Sequence, residues 1–495
     1  MIAWNHRIVL GALCLVLTGC AVTPDYQPPT PDVPARWSEA PESSPSATTA
    51  DFPWWQTFND PMLDSLVARA LRANLDLQSA EARIREGRAR RGMATAARWP
   101  SVGARASAAR ERESKNAPNP VLVQPDGQIE LPGQSENLFQ AGFDATWELD
   151  LFGGVRRTIE AGQADLESAV YDRDAVLVTL VAEVSRNYLE LRGSQRQCRI
   201  ARENLAARQD MLTLVQARYA AGMASDLDVA RAETQVQQAT SRLPPLDASC
   251  KKAVHHLGVL LDQPASALAD ELRLERPIAV PSAQPPLGLP SDLLRQRPDI
   301  RSAERRLAAA SARLGAATAD LYPRFSLLGT VGLASVAASD FFNGASTLWS
   351  VGPSMTWPIF QGGRIVATIE VRDAQQQQAL IAYRRAILNG IEDVENAIAG
   401  YRQEQTRRAA LAKALDAEQR TLAFARTRYT AGLTDFREVL AAQRGLDQAQ
   451  SDLAQTDTAV SLDLIAIYKA LGGGWGTVMR TEREPGRRGQ GEATK

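Results

Sequence analysis

The sequence RYAAGMASDLDV (residues 218–229) recurs as RYTAGLTDFREV (residues 428–439), 210 positions further along a chain of 495 residues. Each copy contains a glycine, Gly222 or Gly432, that can adopt the left-handed conformation that ends a helix. A helix-capping pair then follows, which is the usual start of a second helix. Each copy therefore predicts a tight turn between two helices. The capping residues are Ser225 and Asp228 in the first copy, and Asp435 and Glu438 in the second.

Around both turns an apolar residue recurs at seven-residue spacing. Such a repeat is typical of helices that supercoil around partners and keep one seam buried. The sequence therefore predicts two long antiparallel helical hairpins, at residues 153–262 and 363–471, that arose by tandem duplication. The seams run from Val170 to Tyr219, from Val229 to Leu257, from Leu380 to Tyr429 and from Val439 to Ile467.

Two stretches before the hairpins, at about residues 100–150 and 323–360, have an apolar period of two instead. The clearest alternation runs from Phe139 to Leu149, and Trp349 to Ile359 repeats it. Each stretch predicts a pair of strands of roughly ten residues, which is the length that crosses a bilayer when tilted. A half-buried hairpin of a soluble protein shows the same alternation, so the pattern alone leaves both interpretations open.

The first residues, 1–19, combine a short polar head, an apolar run and small residues, which is typical of a signal peptide. They lead into Leu17-Thr18-Gly19-Cys20, which resembles the lipobox of bacterial lipoproteins. That resemblance implies cleavage before Cys20 and acylation of Cys20. An ordinary signal peptide that happens to contain cysteine is the alternative. Residues 20–50, rich in Pro, Ser and Ala, are expected to form an extended lipidated tether.

The remaining chain divides by its repeats into residues 51–263 and 299–475. The Pro-rich segment 264–298 links them, and the charged residues 476–495 are expected to be a disordered tail. A net charge of −1 gives no indication of nucleic acid as a partner. With 3 histidines and no Cys-x-x-Cys, we expect no metal, no cofactor and no catalytic residue.

Several motifs together carry a resemblance to a known family. In this order and duplicated, they resemble the TolC-like outer-membrane factors, especially their NodT-type lipoprotein branch, over nearly the whole chain. One departure is Glu438, where the family often has Asp or Asn. The motifs are the lipobox, RPDIRSAERR (297–306), WPIFQGGR (357–364) and YTAGLTDF (429–436).

This resemblance implies a mainly α fold with a membrane portion. Three chains would pool twelve strands into one β-barrel and their long helices into a periplasmic tunnel. It also implies a periplasmic adaptor, an inner-membrane pump and outer-membrane lipid as partners. Oligomerisation is also expected on physical grounds. Four strands cannot close a barrel, and open sheet edges in lipid leave backbone groups without hydrogen bonds.

We therefore expect an outer-membrane exit duct that passively exports small molecules such as drugs. Two alternatives stay open at this point. One is a duct for type I protein secretion, and the other is a lipid-anchored periplasmic coiled-coil scaffold that never inserts.

The resemblance also implies a gate at the hairpin tips, without indicating which carboxylates face the lumen. Helix capping alone explains acidic residues at these positions equally well. Packing in the seam is the expected role of both tyrosines. The candidate gate residues are Arg218, Tyr219, Gly222, Asp226, Asp228, Arg428, Tyr429, Gly432, Asp435, Arg437 and Glu438.

Cys198 and Cys250 lie on seams of opposite arms of the first hairpin. They stand 24 and 28 residues from Gly222 (222 − 198 and 250 − 222), which places them nearly level in an antiparallel pair. An oxidising compartment would permit a disulfide between them, and two buried thiols are the alternative.

Overall fold

The computed structural model describes residues 25–39, 53–112, 114, 135–277 and 287–473. Cys20, most of the expected tether and the expected tail at 476–495 lie outside these residues. The described chain is mainly helical and contains one sheet. Its helices are α1 (Pro61–Ala73), α2 (Leu75–Ala96), α3 (Gly154–Ala220), α4 (Asp226–Leu260), α5 (Leu293–Gln296), α6 (Pro298–Ala319), α7 (Arg364–Thr430) and α8 (Phe436–Ala470). Its strands are β1 (Ser101–Arg112), β2 (Ser135–Leu149), β3 (Arg324–Ser335) and β4 (Thr347–Thr356).

The two predicted hairpins are confirmed as α3–α4 and α7–α8. Both first arms, α3 and α7, have 67 residues, which is about 100 Å of helix at 1.5 Å per residue. Both turns contain the expected left-handed glycine, with φ of 71° at Gly222 and 73° at Gly432. The duplication in sequence is thus a duplication of structure.

The residues group into two compact units. The first takes the described residues of Met1–Pro29, Arg85–Glu167 and Arg305–Ile381. The second takes those of Thr30–Ile84, Ser168–Glu304 and Ala382–Lys495. Each unit contains residues of both sequence repeats. The boundaries of the repeats therefore do not coincide with the boundaries of the compact units.

The first unit contains the sheet, in which β1, β2, β3 and β4 are neighbours in that order and all pair antiparallel. The two predicted strand pairs are confirmed, and they join through β2 and β3. The period of two sorts the side chains, since Phe143, Val331 and Trp349 are paired across one face and all three are exposed. The sheet therefore has an apolar face that the described residues leave uncovered.

Tryptophans tie the sheet to the helices that precede it, in the same way in both repeats. Trp147 Nε1 donates to the Arg98 carbonyl at 2.9 Å, just after α2. Trp357 Nε1 donates to the Leu321 carbonyl at 3.1 Å, just after α6. Each bond fixes where a helix ends relative to the strand pair.

The second unit packs the predicted linker against α3. Leu268 and Leu272 are buried, and Arg192 donates to the Leu274 carbonyl at 2.6 Å. The described part of segment 264–298 therefore not only links the two repeats but also supplies core residues.

Part of the expected tether is also docked on this unit, which composition alone did not predict. Trp37 is buried and its ring nitrogen donates to the Gly288 carbonyl at 3.1 Å. The backbone N–H groups of Ser38 and Glu39 donate to the Glu395 carboxylate at 2.7 and 3.0 Å. Burial of an indole and two charge-assisted hydrogen bonds outweigh the chain entropy that composition alone suggests.

None of the helices in the described ranges is both long enough and apolar enough to span a bilayer.

Candidate functional site: the hairpin tips

The first tip is closed by backbone hydrogen bonds and a reciprocal cap. After α3, the Gly222 N–H donates to the Tyr219 carbonyl at 2.9 Å, and the Met223 N–H donates to the Arg218 carbonyl at 2.8 Å. Ser225 and Asp228 each accept a hydrogen bond from the other's backbone N–H at 3.2 Å. The predicted capping box is therefore present, and it fixes the entry of the chain into α4.

The second tip is capped by Asp435. Its carboxylate accepts from the backbone N–H groups of Arg437 at 2.9 Å and Glu438 at 3.3 Å. The Arg437 guanidinium pairs with the same carboxylate at 2.6 Å, and this bond holds the pKa of Asp435 below its usual value. Arg437 thus contacts a residue of its own tip, and Glu438 takes part in the cap through its backbone.

Arg218 joins the first hairpin to the second. Its guanidinium carbon lies 4.7 Å from the centre of the Tyr429 ring, within the range of a cation–π interaction. Its Nη1 also donates to the Thr430 carbonyl at 3.3 Å. Among the candidate gate residues, this arginine makes the contact that links the two tips of one chain.

The two seam tyrosines occupy different environments. Tyr429 is only 6% exposed, as predicted for packing, and its ring centre lies 5.6 Å from that of Phe436. Tyr219 is 46% exposed, so the prediction of seam packing is wrong for this residue. Position 226, which corresponds to Phe436, carries Asp226, so the first tip has no aromatic partner. A hydrogen bond with Asp226 instead raises the pKa of Tyr219.

An apolar cluster just behind the tips draws side chains from all four long helices. Burying these side chains away from water stabilises the paired arrangement of the two hairpins. Its buried members are Val215, Ala232, Leu422, Tyr429, Phe436, Val439, Leu440, Ala442 and Leu446.

A buried polar network next to this cluster was not predicted from the sequence. Arg208 of α3 forms an ion pair with Asp447 of α8, and their side chains are only 6% and 3% exposed. Arg208 also donates to the Gln235 carbonyl of α4 at 3.0 Å. Gln443 donates to Asp447 at 2.8 Å and accepts from Arg426 of α7 at 2.9 Å. The network therefore joins all four long helices.

A second ion cluster lies further from the tips, on Asp457 of α8. One carboxylate oxygen pairs with Arg196 of α3 at 2.6 Å and the other with Arg408 of α7 at 2.5 Å. Of these three residues only Asp457 is buried. Its residue type does not indicate burial, because Asp is also a usual residue of a solvated helix face. Two signals exist in the sequence: Asp447 directly follows the seam residue Leu446, and Arg408 occupies a position of the seam from Leu380 to Tyr429.

The two cysteines lie next to each other, as their similar distances in sequence from Gly222 predict. Their sulfur atoms lie 3.9 Å apart, and the structure holds them as free thiols. Cys198 is 3% exposed, and burial raises its pKa to about 12. The structure thus brings the two sulfur atoms together without a bond between them, and Cys250 is half-buried.

Within the described ranges, no group of three or more His, Cys, Asp or Glu side chains is placed to hold a metal ion. Cys20, the predicted lipid site, lies outside those ranges.

Duplicated helical hairpins with capped tips, together with a sheet whose apolar face is uncovered, define a TolC-like outer-membrane channel. The profile of the family described as outer membrane efflux protein matches residues 66–261 and 289–473. The chain belongs to this family.

Several named proteins resemble the chain over nearly the full length. Nodulation protein T of Rhizobium leguminosarum bv. trifolii is 30% identical over 466 residues, which are 94% of this chain and 97% of that protein. The pyoverdine export outer membrane protein OpmQ of Pseudomonas aeruginosa is 33% identical over 478 residues, 95% of this chain and 97% of that protein. The solved outer-membrane channel OprN superposes with a TM-score of 0.85 at 36% identity, covering 92% of this chain and 100% of that one.

These findings confirm the predicted fold class of helical tunnel and membrane sheet, and the predicted role as exit duct of an efflux system. The protein is located in the outer membrane and extends into the periplasm. The relatives it matches are channel proteins and not enzymes.

Proposed function

We propose that the chain acts as a homotrimer that passively releases small molecules delivered by a periplasmic adaptor and an inner-membrane pump. The uncovered apolar sheet face and the four-stranded sheet support assembly into a closed barrel, because open edges are costly in lipid. This argument also disfavours the scaffold that never inserts.

Small molecules are favoured over protein substrates by the names of the relatives. Besides the pyoverdine exporter, a toluene efflux protein and an antibiotic efflux protein of Pseudomonas putida are 30% and 31% identical to this chain. The decisive experiment is to identify which adaptor and pump co-purify with the protein. Recovery of a protein-secretion pump would contradict the proposal.

The hairpin tips form the periplasmic gate, and the contact of Arg218 with Tyr429 and Thr430 is the observation that carries this assignment. The apolar cluster behind the tips keeps the two hairpins paired. At the tips themselves, the contacts of Arg218 are weak polar links that hold the closed state, and binding of the adaptor can break them. The exposed carboxylates Asp226 and Asp435 would then line the opening.

The gate is tested by single-channel recording of purified trimers in planar bilayers. Arg218→Ala should raise leak conductance several-fold and increase cell sensitivity to large antibiotics. The matched control is Arg90→Ala in α2, where the arginine pairs at 2.6 Å with Glu86 of its own helix. Equal conductance of both variants in folded protein would contradict the gate.

The role of the tip carboxylates is tested separately. Replacing Asp435 and Glu438 together with Ala should change cation preference if they face the lumen. If they only cap α8, thermal stability falls and ion selectivity does not change. Replacing Arg428 and Arg437 should raise the leak if these arginines also hold the tip closed.

Anchoring through Cys20 follows from the lipobox. Cys20→Ser should abolish acyl labelling and leave the protein inserted, because the strands provide a second hold. Acyl labelling that persists in this variant would contradict the assignment.

A further inference from the structure

Because the hairpins are duplicated, the positions of Cys198 and Cys250 can be compared with the equivalent positions of the second hairpin. At an offset of 210 residues, Cys198 corresponds to Arg408 and Asp247 corresponds to Asp457. In the second hairpin Arg408 pairs with Asp457 across the arms at 2.5 Å. In the first hairpin the sulfur of Cys198 lies 3.6 Å from Asp247. At equivalent positions, each hairpin therefore has a specific side-chain contact between its two helices.

In a long hairpin, such a contact can fix the register in which the two helices pack. A seam of apolar residues at seven-residue spacing can also pack after a slip of one repeat, and specific polar partners select one register. The ion pair does this for α7 and α8. In α3 and α4 the arginine is replaced by a thiol, and the residue that corresponds to Val460 is a second thiol, Cys250.

The two sulfur atoms are positioned for a bond. They lie 3.9 Å apart, and a disulfide needs about 2 Å, so the approach is within reach of side-chain rotation. The chain has 4 cysteines. Under the lipoprotein proposal Cys14 leaves with the signal peptide and Cys20 carries the lipid, so each remaining thiol has only the other as a partner in the chain.

We infer that Cys198 and Cys250 are joined by a disulfide in the assembled protein, and that this bond sets the register of the first hairpin. In its formation the two thiols lose two protons and two electrons. The electrons reduce the disulfide of a periplasmic thiol–disulfide oxidoreductase to two thiols, through a mixed disulfide in which one chain cysteine is briefly bonded to the enzyme. The second chain cysteine then displaces the enzyme thiol.

The environment of the thiols indicates when this happens. Burial raises the pKa of both Cys198 and Cys250, so the reactive thiolate is scarce once the hairpin has closed. Oxidation therefore precedes closure of α3 on α4, and the buried bond is afterwards shielded from reductants.

The bond is tested by unfolding the protein extracted from outer membranes in a denaturant that contains N-ethylmaleimide, so that any free thiol reacts, and then counting modified cysteines by mass spectrometry. We expect none without prior reduction and two after it, with faster gel migration of the non-reduced chain. The double variant Cys198→Ser/Cys250→Ser should show no mobility change on reduction. Two alkylated cysteines in the non-reduced sample would overturn the inference.

The register claim is tested on the wild-type protein, and the double-serine variant controls for effects of the reductant itself. Denaturing and refolding in detergent with a strong reductant should increase trypsin cleavage within residues 199–249 several-fold over refolding without it. The double-serine variant should be cleaved equally under both conditions. If the bond is found and reduction leaves the cleavage pattern unchanged, the bond does not set the register. Neither assay measures conductance, so failure here leaves the proposed gate untouched.

Discussion

Replacing Asp447 with Ala tests whether the buried network holds the two hairpins together. The change leaves the Arg208 guanidinium without its carboxylate in a site where the arginine side chain is 6% exposed. Gln443 loses the acceptor that it reaches at 2.8 Å. Arg208 keeps its bonds to Gln235, but these are neutral and do not balance a buried charge.

The expected cost is large. Breaking a buried ion pair by removing one partner destabilises a protein by about 3–5 kcal/mol, because the remaining charge is uncompensated. The buried amide of Gln443 adds roughly 1 kcal/mol. A surface carboxylate that contacts only its own helix should cost less than about 0.5 kcal/mol. Asp452 is the matched case on the same helix, since it accepts at 2.8 Å from Gln448 one turn away.

The assay is urea unfolding of the detergent-solubilised protein, followed by circular dichroism at a fixed protein concentration. Asp447→Ala should lower the midpoint strongly and Asp452→Ala hardly at all. Arg208→Met combined with Asp447→Leu should recover most of the loss, because an apolar pair of similar volume replaces the buried charges. If Asp447→Ala costs no more than Asp452→Ala, the network does not hold the hairpins.

Two further predictions follow from other parts of the chain. Burial and the nearby Glu404 raise the pKa of Asp463 from 3.8 to about 6, so the fold favours the protonated form. The contribution of protonated Asp463 to the free energy of unfolding is complete below pH 3.8 and is lost as the pH rises through 6. Asp463→Asn should remove this pH dependence from melting curves and stabilise the protein at pH 8. In the sheet, a Cβ on Gly332 would lie 2.5 Å from the Ala141 carbonyl oxygen, so Gly332→Ala should cost about 1–3 kcal/mol in urea titrations. Gly352→Ala is the control, because nothing lies within 4 Å of a Cβ there. An unaffected Gly332→Ala would show that the two strands can separate at that point.

The elements of this fold could be predicted from the sequence because they follow from local periodicity. A seven-residue apolar repeat buries one side of a helix whatever it packs against. A glycine followed by a capping pair ends one helix and begins the next, as at Gly222 and Gly432. Alternation over about ten residues likewise makes a strand, and both hairpins and both strand pairs appear where these patterns lie.

The partners across the chain could not be predicted in the same way. Periodicity indicates which side of α3 is buried, but not which of three other helices faces Arg208. Its partner Asp447 is 239 residues away. The charge of both residues gives no indication of burial, since the cost of removing them from water is offset only by a partner that the tertiary structure supplies.

The tips show the same division between sequence and structure. The heptad places Tyr219 and Tyr429 in equivalent positions, and sequence alone gives them one role. Only the folded chain sets Phe436 beside Tyr429 and leaves Asp226 beside Tyr219, so that one ring is buried and the other meets solvent. Local pattern determined the helices and turns of this protein, whereas the links between its hairpins depend on side chains that meet only after the long arms have packed.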